Sequence, residues 1–258
     1  MNKSSRLKQI EIMLQKNGKV GTNQLCRLFN VSEMTIRRDL NLLAEQNAAI
    51  RSHGGAILPV DNILTERPYD LRINHKLTEK RAIAREAIKL INDGDCVFFD
   101  SSTTTFSAAE LITNEFSILA TTDTLTTAIE LNRRPNVKVI SIGGELQKSS
   151  HSCSGYFSTK MLEEMHFDIA FLGFSGISKD GFLSTQSTNE LALKRSVISR
   201  TSRSVVLVDS SKLGISEQYL QIAHLSNVDT LITDSRIEPA FIEYCQNLSI
   251  HLIIAPIG

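Results

Sequence analysis

The segment Val31-Ser32-Glu33-Met34-Thr35-Ile36-Arg37-Arg38-Asp39-Leu40 constrains this chain more than any other. It reads as a turn, a helix cap and then a helix carrying two adjacent arginines. Ser32 caps through its hydroxyl, which can accept from a backbone N–H in the first turn, leaving Thr35 in that turn. Ile36, Leu40 and Leu43 recur at i, i+4 and i+7, so one face is expected to be buried. Thr35, Arg37, Arg38 and Asn41 fall largely off that stripe. A short helix with such an outward face suits the DNA major groove, where cationic and amide side chains meet base edges. Taken alone, the segment reads equally well as a solvated amphipathic helix.

The flanks favour the DNA reading. Ser4 to Lys16 reads as a helix with Leu7, Ile10 and Leu14 on one face and Gly18 at its end. Thr22 is expected to cap a second short helix, with Leu25, Leu28 and Phe29 at i, i+3 and i+4. Asn30-Val31 supplies the turn before Ser32. Two short helices joined by a tight turn make a helix-turn-helix, whose second helix is the reader. Ala49-Ile50-Arg51 and Ser52-His53-Gly54-Gly55-Ala56-Ile57 then read as a small hairpin, or wing. Arg51 and His53 join Ser32, Thr35, Arg37, Arg38 and Asn41 as candidate DNA-binding residues. Residues 1–53 hold nine Lys and Arg against four Asp and Glu, a surplus of +5. The whole chain carries 28 of each sign, so the remainder is −5. A neutral protein with one basic end has an electrostatic footprint for a polyanion at that end.

A chain of 258 residues accommodates one or two domains. The expected division is a winged helix-turn-helix over 1–58, a linker over 59–75 containing Pro59 and Pro68, and a second domain over 76–258. The polar N-terminus lacks the apolar stretch of a signal peptide, and no apolar run approaches 18 residues, so a cytoplasmic protein is expected. Cys26, Cys96, Cys153 and Cys245 lie far apart, without metal-ligand or redox spacing. The six histidines form no cluster either. Neither a metal site nor a cofactor is expected.

A helix is expected from Leu77 to Ile91, stopped by Asn92-Asp93-Gly94. Apolar runs at 96–99, 116–120, 137–142, 169–172 and 205–208 follow, with helical stretches near 107–112 and 126–132 and further strand candidates at 231–232 and 252–254. Strands alternating with helices indicate an α/β domain with a mainly parallel sheet. Ligands of such sheets bind at the carboxyl ends of the strands, in the loops that follow. Those loops are polar here. Asp100-Ser101-Ser102-Thr103-Thr104-Thr105 follows the first strand, and Thr121-Thr122-Asp123-Thr124 the second. Gly143-Gly144-Glu145 follows the third, and Asp209-Ser210-Ser211-Lys212 the fifth. A Ser/Thr-rich loop that opens a helix offers hydroxyls, N–H groups and a positive helix end to an anion. Lys212 adds a point charge for phosphate, and Asp100 and Glu145 can accept from sugar hydroxyls. Any one such loop is ordinary turn chemistry. Four of them after strands describe a pocket for a small phosphorylated polyol, lined by Asp100, Ser101, Ser102, Thr103, Thr104, Thr122, Asp123, Gly143, Gly144, Glu145 and Lys212.

These residues carry a resemblance that runs the length of the chain. Val31-Ser32, Thr35-Ile36-Arg37-Arg38-Asp39-Leu40, Arg51 and His53-Gly54-Gly55-Ala56 resemble the helix-turn-helix of DeoR-family bacterial regulators of sugar metabolism. Glu79-Lys80, Ile83-Ala84, the Asp100 loop, Gly143-Gly144-Glu145, Asp168, Gly173, Gly176, Gly181, Glu190, Lys194-Arg195 and Asp209-Ser210-Ser211-Lys212 fit the same family in order. The resemblance implies a C-terminal sensor domain related in fold to ribose-5-phosphate isomerase. It also implies a repressor of a carbohydrate-utilisation operon, released from operator DNA by a phosphorylated sugar or pathway intermediate and assembled as a dimer or higher oligomer. Two positions depart from the family pattern: Ser102 stands where Gly is usual, and Thr122-Asp123 where Thr-Asn is usual. The alternatives are a sugar-phosphate isomerase fused to a DNA-binding module and a transcriptional activator. The residue spacing contains no dedicated acid/base pair for the former, so a non-enzyme is expected.

Overall fold

The computed structural model describes residues 2–45, 48–57, 69–215 and 220–257. The chain divides into two compact units, Met1–His75 and Lys76–Gly258.

In the first unit the order is α1 (Lys3–Asn17), β1 (Lys19–Gly21), α2 (Thr22–Phe29), α3 (Glu33–Glu45), β2 (Ile50–Ser52), β3 (Gly55–Ile57) and α4 (Tyr69–Asn74). Gly18 ends α1 in the left-handed conformation at φ 72°, its N–H bonded to the Leu14 carbonyl. Asn30 ends α2 in the same way at φ 51°, which tightens the turn into α3. Ser32 caps α3: its Oγ accepts from Thr35 N at 3.3 Å and lies 3.0 Å from Thr35 Oγ1. Ile10, Leu14, Leu25, Ile36, Leu40 and Leu43 bury completely in one core. At about 1.5–3 kcal/mol each, such side chains supply most of what holds a unit this small.

Three expectations are corrected here. Thr22 is not the cap of α2. Gly21 holds that position, and Thr22 is buried with its N–H donated to the Gly54 carbonyl at 2.8 Å. Leu28 is exposed, because Leu25 alone faces the core squarely and Phe29 is half-buried. The wing is three-stranded, in the order β1-β3-β2, with β1 on β3 antiparallel and Gly21 opposite Gly55. A Cβ on Gly55 would lie 2.0 Å from the Val20 carbonyl oxygen, so close strand approach requires glycine there. Of the expected linker, 59–68 lies outside the described residues. Tyr69–Asn74 is helical, with Asp70 in its first turn and Arg72 in its last to match the helix dipole.

The second unit begins with α5 (Leu77–Ile88), which stops three residues short of Ile91 because Leu90 and Ile91 turn more tightly, onto Ala87 and Ile88. Then come β4 (Cys96–Phe99), α6 (Thr103–Glu110), β5 (Ile118–Thr122), α7 (Leu125–Leu131), β6 (Val137–Ser141), β7 (Glu145–Leu146), β8 (Cys153–Ser154), α8 (Tyr156–Glu163) and β9 (Phe167–Leu172). These are followed by β10 (Gly176–Ser178), β11 (Phe182–Thr185), α9 (Thr188–Ser199), β12 (Thr201–Leu207), β13 (Leu213–Ile215), β14 (Leu220–His224), β15 (Thr230–Asp234), α10 (Pro239–Asn247) and β16 (His251–Ala255). Seven strands form a parallel sheet in the order β16-β15-β12-β9-β4-β5-β6. Alternate residues of each central strand bury on opposite faces. Val97 and Phe99, with Ile169 and Phe171, pack beneath α5 and α6. Phe98, Ala170 and Leu172 pack with Leu162 of α8 and Leu193 and Val197 of α9. A four-stranded sheet, β13-β10-β11-β14, adds Ile177, Leu183 and Ile222 to the second face. Among the described residues no helix is long and apolar enough to cross a membrane.

The strand order fixes the site. The chain enters at β4, runs outward through β5 and β6, then returns to the other side of β4 with β9 and continues to β12, β15 and β16. The connections therefore diverge between β4 and β9. A crevice opens at the carboxyl ends of two strands whose connections leave in opposite directions.

Candidate functional site

Two sites are built from the residues singled out above. In the first unit, the outward face of α3 presents Glu33, Met34, Arg37, Arg38 and Asn41, all exposed. Ile36, Asp39, Leu40 and Leu43 are buried beneath it. Arg37 is held by Glu33 one turn back, with Nε–Oε1 at 2.8 Å. Arg38 makes no hydrogen bond or ion pair with the described residues, so its guanidinium is available. Arg51 and His53 are exposed on the wing, and Arg51 Nη1 crosses the hairpin to the Gly55 carbonyl at 2.5 Å. Met34 was not among the sequence candidates. It is 64% exposed, and Arg37, Arg38 and Asn41 follow it at i+3, i+4 and i+7. An apolar side chain on a reading face can contact a thymine methyl, and the exposed i, i+3, i+4, i+7 pattern was the available signal.

The structural role of Asp39, by contrast, leaves no local signal in the sequence. It is buried and takes two hydrogen bonds from Arg6 of α1, Nε–Oδ2 at 2.5 Å and Nη2–Oδ1 at 3.2 Å. A bidentate pair of this kind fixes the roll of α3 on α1, and with it the direction in which Arg38 points.

In the second unit, Asp100 sits at the divergence of the sheet, fully buried. Its Oδ1 accepts from Ser102 N at 2.9 Å and its Oδ2 from Gly173 N at 2.7 Å, so it stitches the ends of β4 and β9 together. Lys194 of α9 reaches the same point. Its ammonium lies 3.1 Å from Asp100 Oδ2 and 3.2 Å from Glu190 Oε2, and it donates to the Gly173 carbonyl. The Phe174 ring lies 4.9 Å from that nitrogen. Burial alone would lower the Lys194 ammonium, but Glu190 and Asp100 outweigh it and hold the group above its ordinary value. Glu190 is steadied in turn by Thr185 Oγ1 at 2.8 Å.

Ser102 caps α6: its Oγ accepts from Thr105 N at 3.1 Å and donates to Thr105 Oγ1 at 2.7 Å. Its hydroxyl is thus committed within the loop. Gly173 packs against it so closely that a Cβ there would lie 2.3 Å from Ser102 Cβ. Ser101, Thr103 and Thr104 are buried around the same turn. Thr122 is not a loop residue. It ends β5, fully buried, and its Oγ1 accepts from Thr124 N at 3.2 Å. Asp123 follows at the carboxyl edge, within electrostatic reach of Asp100, Lys194 and Glu190. Its carbonyl accepts from Cys153 N at 2.6 Å.

The remaining candidates lie on flanking loops. Gly143 accepts from Ser158 Oγ at 2.6 Å, and Gly144, at φ 147°, leaves no room for a Cβ against Ser158 and Ser154. Glu145 opens β7 and is exposed. Lys212 lies in a single helical turn after β12, half-exposed, and its ammonium has no partner among the described residues. The cation that offsets Asp123 is Lys194, which the sequence flagged without a role. Among the described residues no cluster of His, Cys, Asp and Glu is placed to hold a metal ion.

The sequence matches two family models, the DeoR-like helix-turn-helix domain over residues 6–61 and the DeoR C-terminal sensor domain over residues 75–235. The HTH-type transcriptional repressor GlcR of Bacillus subtilis is 34% identical over 98% of this chain and 97% of its own. The uncharacterized HTH-type transcriptional regulator YulB of the same organism is 31% identical over 99% and 98%. The glycerol-3-phosphate regulon repressor of Escherichia coli is 33% identical over 91% and 92%. Among solved structures, ribose 5-phosphate isomerase A from Methanocaldococcus jannaschii covers 54% of this chain and 55% of its own at a TM-score of 0.41 and 20% identity, too distant to bear on chemistry. Both matched models and near full-length similarity to curated regulators place this chain in the DeoR family of helix-turn-helix transcriptional regulators.

Proposed function

We propose that the chain represses a carbohydrate-utilisation operon and leaves its operator when a phosphorylated sugar or pathway intermediate occupies the crevice between β4 and β9. The observation that carries this reading is the convergence of the Asp100 loop, Gly173 and Lys194 where the sheet's connections diverge. The phosphate is assigned to the start of α6, where backbone N–H groups and the helix dipole favour an anion, with Lys212 on the neighbouring loop. Asp123 and Glu145 face the polyol. Relatives named as repressors, one of them of a glycerol-3-phosphate regulon, support both the sign of regulation and the ligand class. Turnover is not proposed, because Asp100, Glu190 and Lys194 are bound to one another and none is free to act as a base. A homo-oligomer is part of the proposal, since non-specific contacts of a winged module bind DNA at only about 10⁻⁴–10⁻⁶ M and useful operator affinity needs two modules at fixed spacing. A coupling of roughly 1–3 kcal/mol between effector and operator suffices for regulation.

The reader is assigned to Ser32, Thr35, Arg37, Arg38 and Asn41 on α3, with Arg51 and His53 on the wing. Arg38→Ala is expected to weaken operator binding by about five- to a hundredfold per reader, the worth of one bidentate base contact. Arg37→Ala should cost less, because Glu33 already engages that guanidinium. Gel shift on the chain's own upstream DNA measures both. Sequence-selective binding at wild-type strength by the Arg38 variant would remove α3 as the reader.

A further inference from the structure

Asp123 is a buried carboxyl in the sensor unit with an unpartnered oxygen. Its residue is 3% exposed, and its Oδ1 has no hydrogen-bond partner among the described residues. The charged and titratable groups that face it come from three elements: Asp100 from the loop after β4, Glu190 and Lys194 from α9, and Cys153 from β8. His151, just before β8, turns its carbonyl to Thr124 Oγ1 and Leu125 N, both at 3.3 Å.

Three carboxyls therefore surround one ammonium. Lys194 is already shared between Asp100 and Glu190 at 3.1 and 3.2 Å, so those three groups together carry a net charge of −1. A further carboxylate in the same buried space has no uncommitted cation among the described residues to stabilise it. Burial, and next the charge of Asp100, hold the Asp123 carboxyl well above the usual carboxylate range, against the pull of Lys194. A buried acid kept neutral in this way is a hydrogen-bond donor.

We infer that Asp123 meets the effector as a neutral carboxylic acid and donates its O–H to an effector oxygen. It thereby selects a phosphate, carbonyl or hydroxyl oxygen and disfavours an effector that places N–H donors or a cation at that point. The inference rests on the reading of this crevice as the effector site. It also gives the departure at Asp123 a physical meaning: a neutral acid and an amide side chain both set a donor group beside a carbonyl acceptor.

The sign of the pH dependence follows. Raising the pH removes the proton, which abolishes the donor and adds a negative charge beside an anionic ligand. Above the pH at which Asp123 titrates, apparent affinity should fall by about tenfold per unit. Asp123→Asn keeps its N–H donors at every pH, so its profile should be flat.

The test uses the full-length protein. Calorimetry with inorganic phosphate, glycerol 3-phosphate, ribose 5-phosphate and fructose 6-phosphate is run from pH 7.5 to 9.5, where imidazoles are neutral and phosphate monoesters are already dianions. In parallel, the ¹³C carboxyl resonance of Asp123, assigned by its absence from Asp123→Asn, reports protonation without any ligand. The expected result is a protonated Asp123 at pH 7, wild-type affinity that falls where that carboxyl titrates, and a flat profile for the variant. A carboxyl ionised at pH 7 overturns the inference, as does affinity that is constant across its titration or changes equally in both proteins. If the carboxyl is protonated but none of the four phosphates binds, the effector reading fails and the donor role falls with it, while the protonation state stands on its own.

Discussion

Asp39→Ala is expected to destabilise the first unit strongly and weaken operator binding, although Asp39 is buried and off the exposed face of α3. Its carboxylate and the Arg6 guanidinium form a bidentate pair with side chains 2% and 9% exposed. Removing one partner of such a pair leaves an uncompensated buried charge and costs about 3–5 kcal/mol. A unit of this size holds only about 5 kcal/mol in total. Each kilocalorie shifts the midpoint of a 60–100-residue domain by roughly 4–8 °C, so its transition should fall by more than about 10 °C. Arg6→Ala should act alike. Replacing both residues together, as Arg6→Met with Asp39→Leu, should recover most of the loss, because a well-packed apolar pair substitutes for a buried ion pair at little cost. Thermal unfolding followed by circular dichroism on the full chain measures all three. An Asp39→Ala transition within about 2 °C of the wild type would show that the pair does not hold α3.

Lys194→Ala should be the most damaging single change in the second unit. The ammonium bridges Asp100, Glu190 and the Gly173 carbonyl, with the Lys194 side chain 4% exposed and that of Asp100 fully buried. Without it, the buried Asp100 carboxylate and the partly exposed Glu190 carboxylate lose the cation they share, and the stitch from β4 to β9 loses its counter-charge. The expected loss is about 3–5 kcal/mol, together with effector-dependent release. Adding Asp100→Asn and Glu190→Gln to Lys194→Met removes the stranded charges and should restore part of the stability but not the response. A Lys194→Ala protein that melts like the wild type would show the cluster to be solvated and unimportant to the fold.

The parts of this account that were legible in the sequence share a physical origin. The central strands of the parallel sheet are buried on both faces, so Cys96–Phe99 and Ile169–Leu172 stand out as continuous apolar runs. Helix α3 announced itself through local chemistry, with a Ser cap, a 3.6-residue stripe and the Asn30-Val31 turn before it. The hidden parts are long-range. Arg6 meets Asp39 across 33 positions of sequence, and Lys194 meets Asp100 across 94, distances at which no local pattern operates. The short strands β10, β11, β13 and β14 exist because they pair with one another, and three to five residues carry too little alternation to show it. Thr22 resembles a cap but is buried against the wing, a tertiary contact overriding a local preference.

The central claim is that the second unit controls the first through a phosphorylated effector. It is tested most directly by gel shift on the chain's own upstream DNA, titrated with glycerol 3-phosphate and a panel of sugar phosphates. The account predicts a shifted complex that one of these compounds dissolves while its dephosphorylated counterpart does not. A complex that no phosphorylated compound affects would contradict it, leaving a DNA-binding regulator whose crevice answers to a different chemistry.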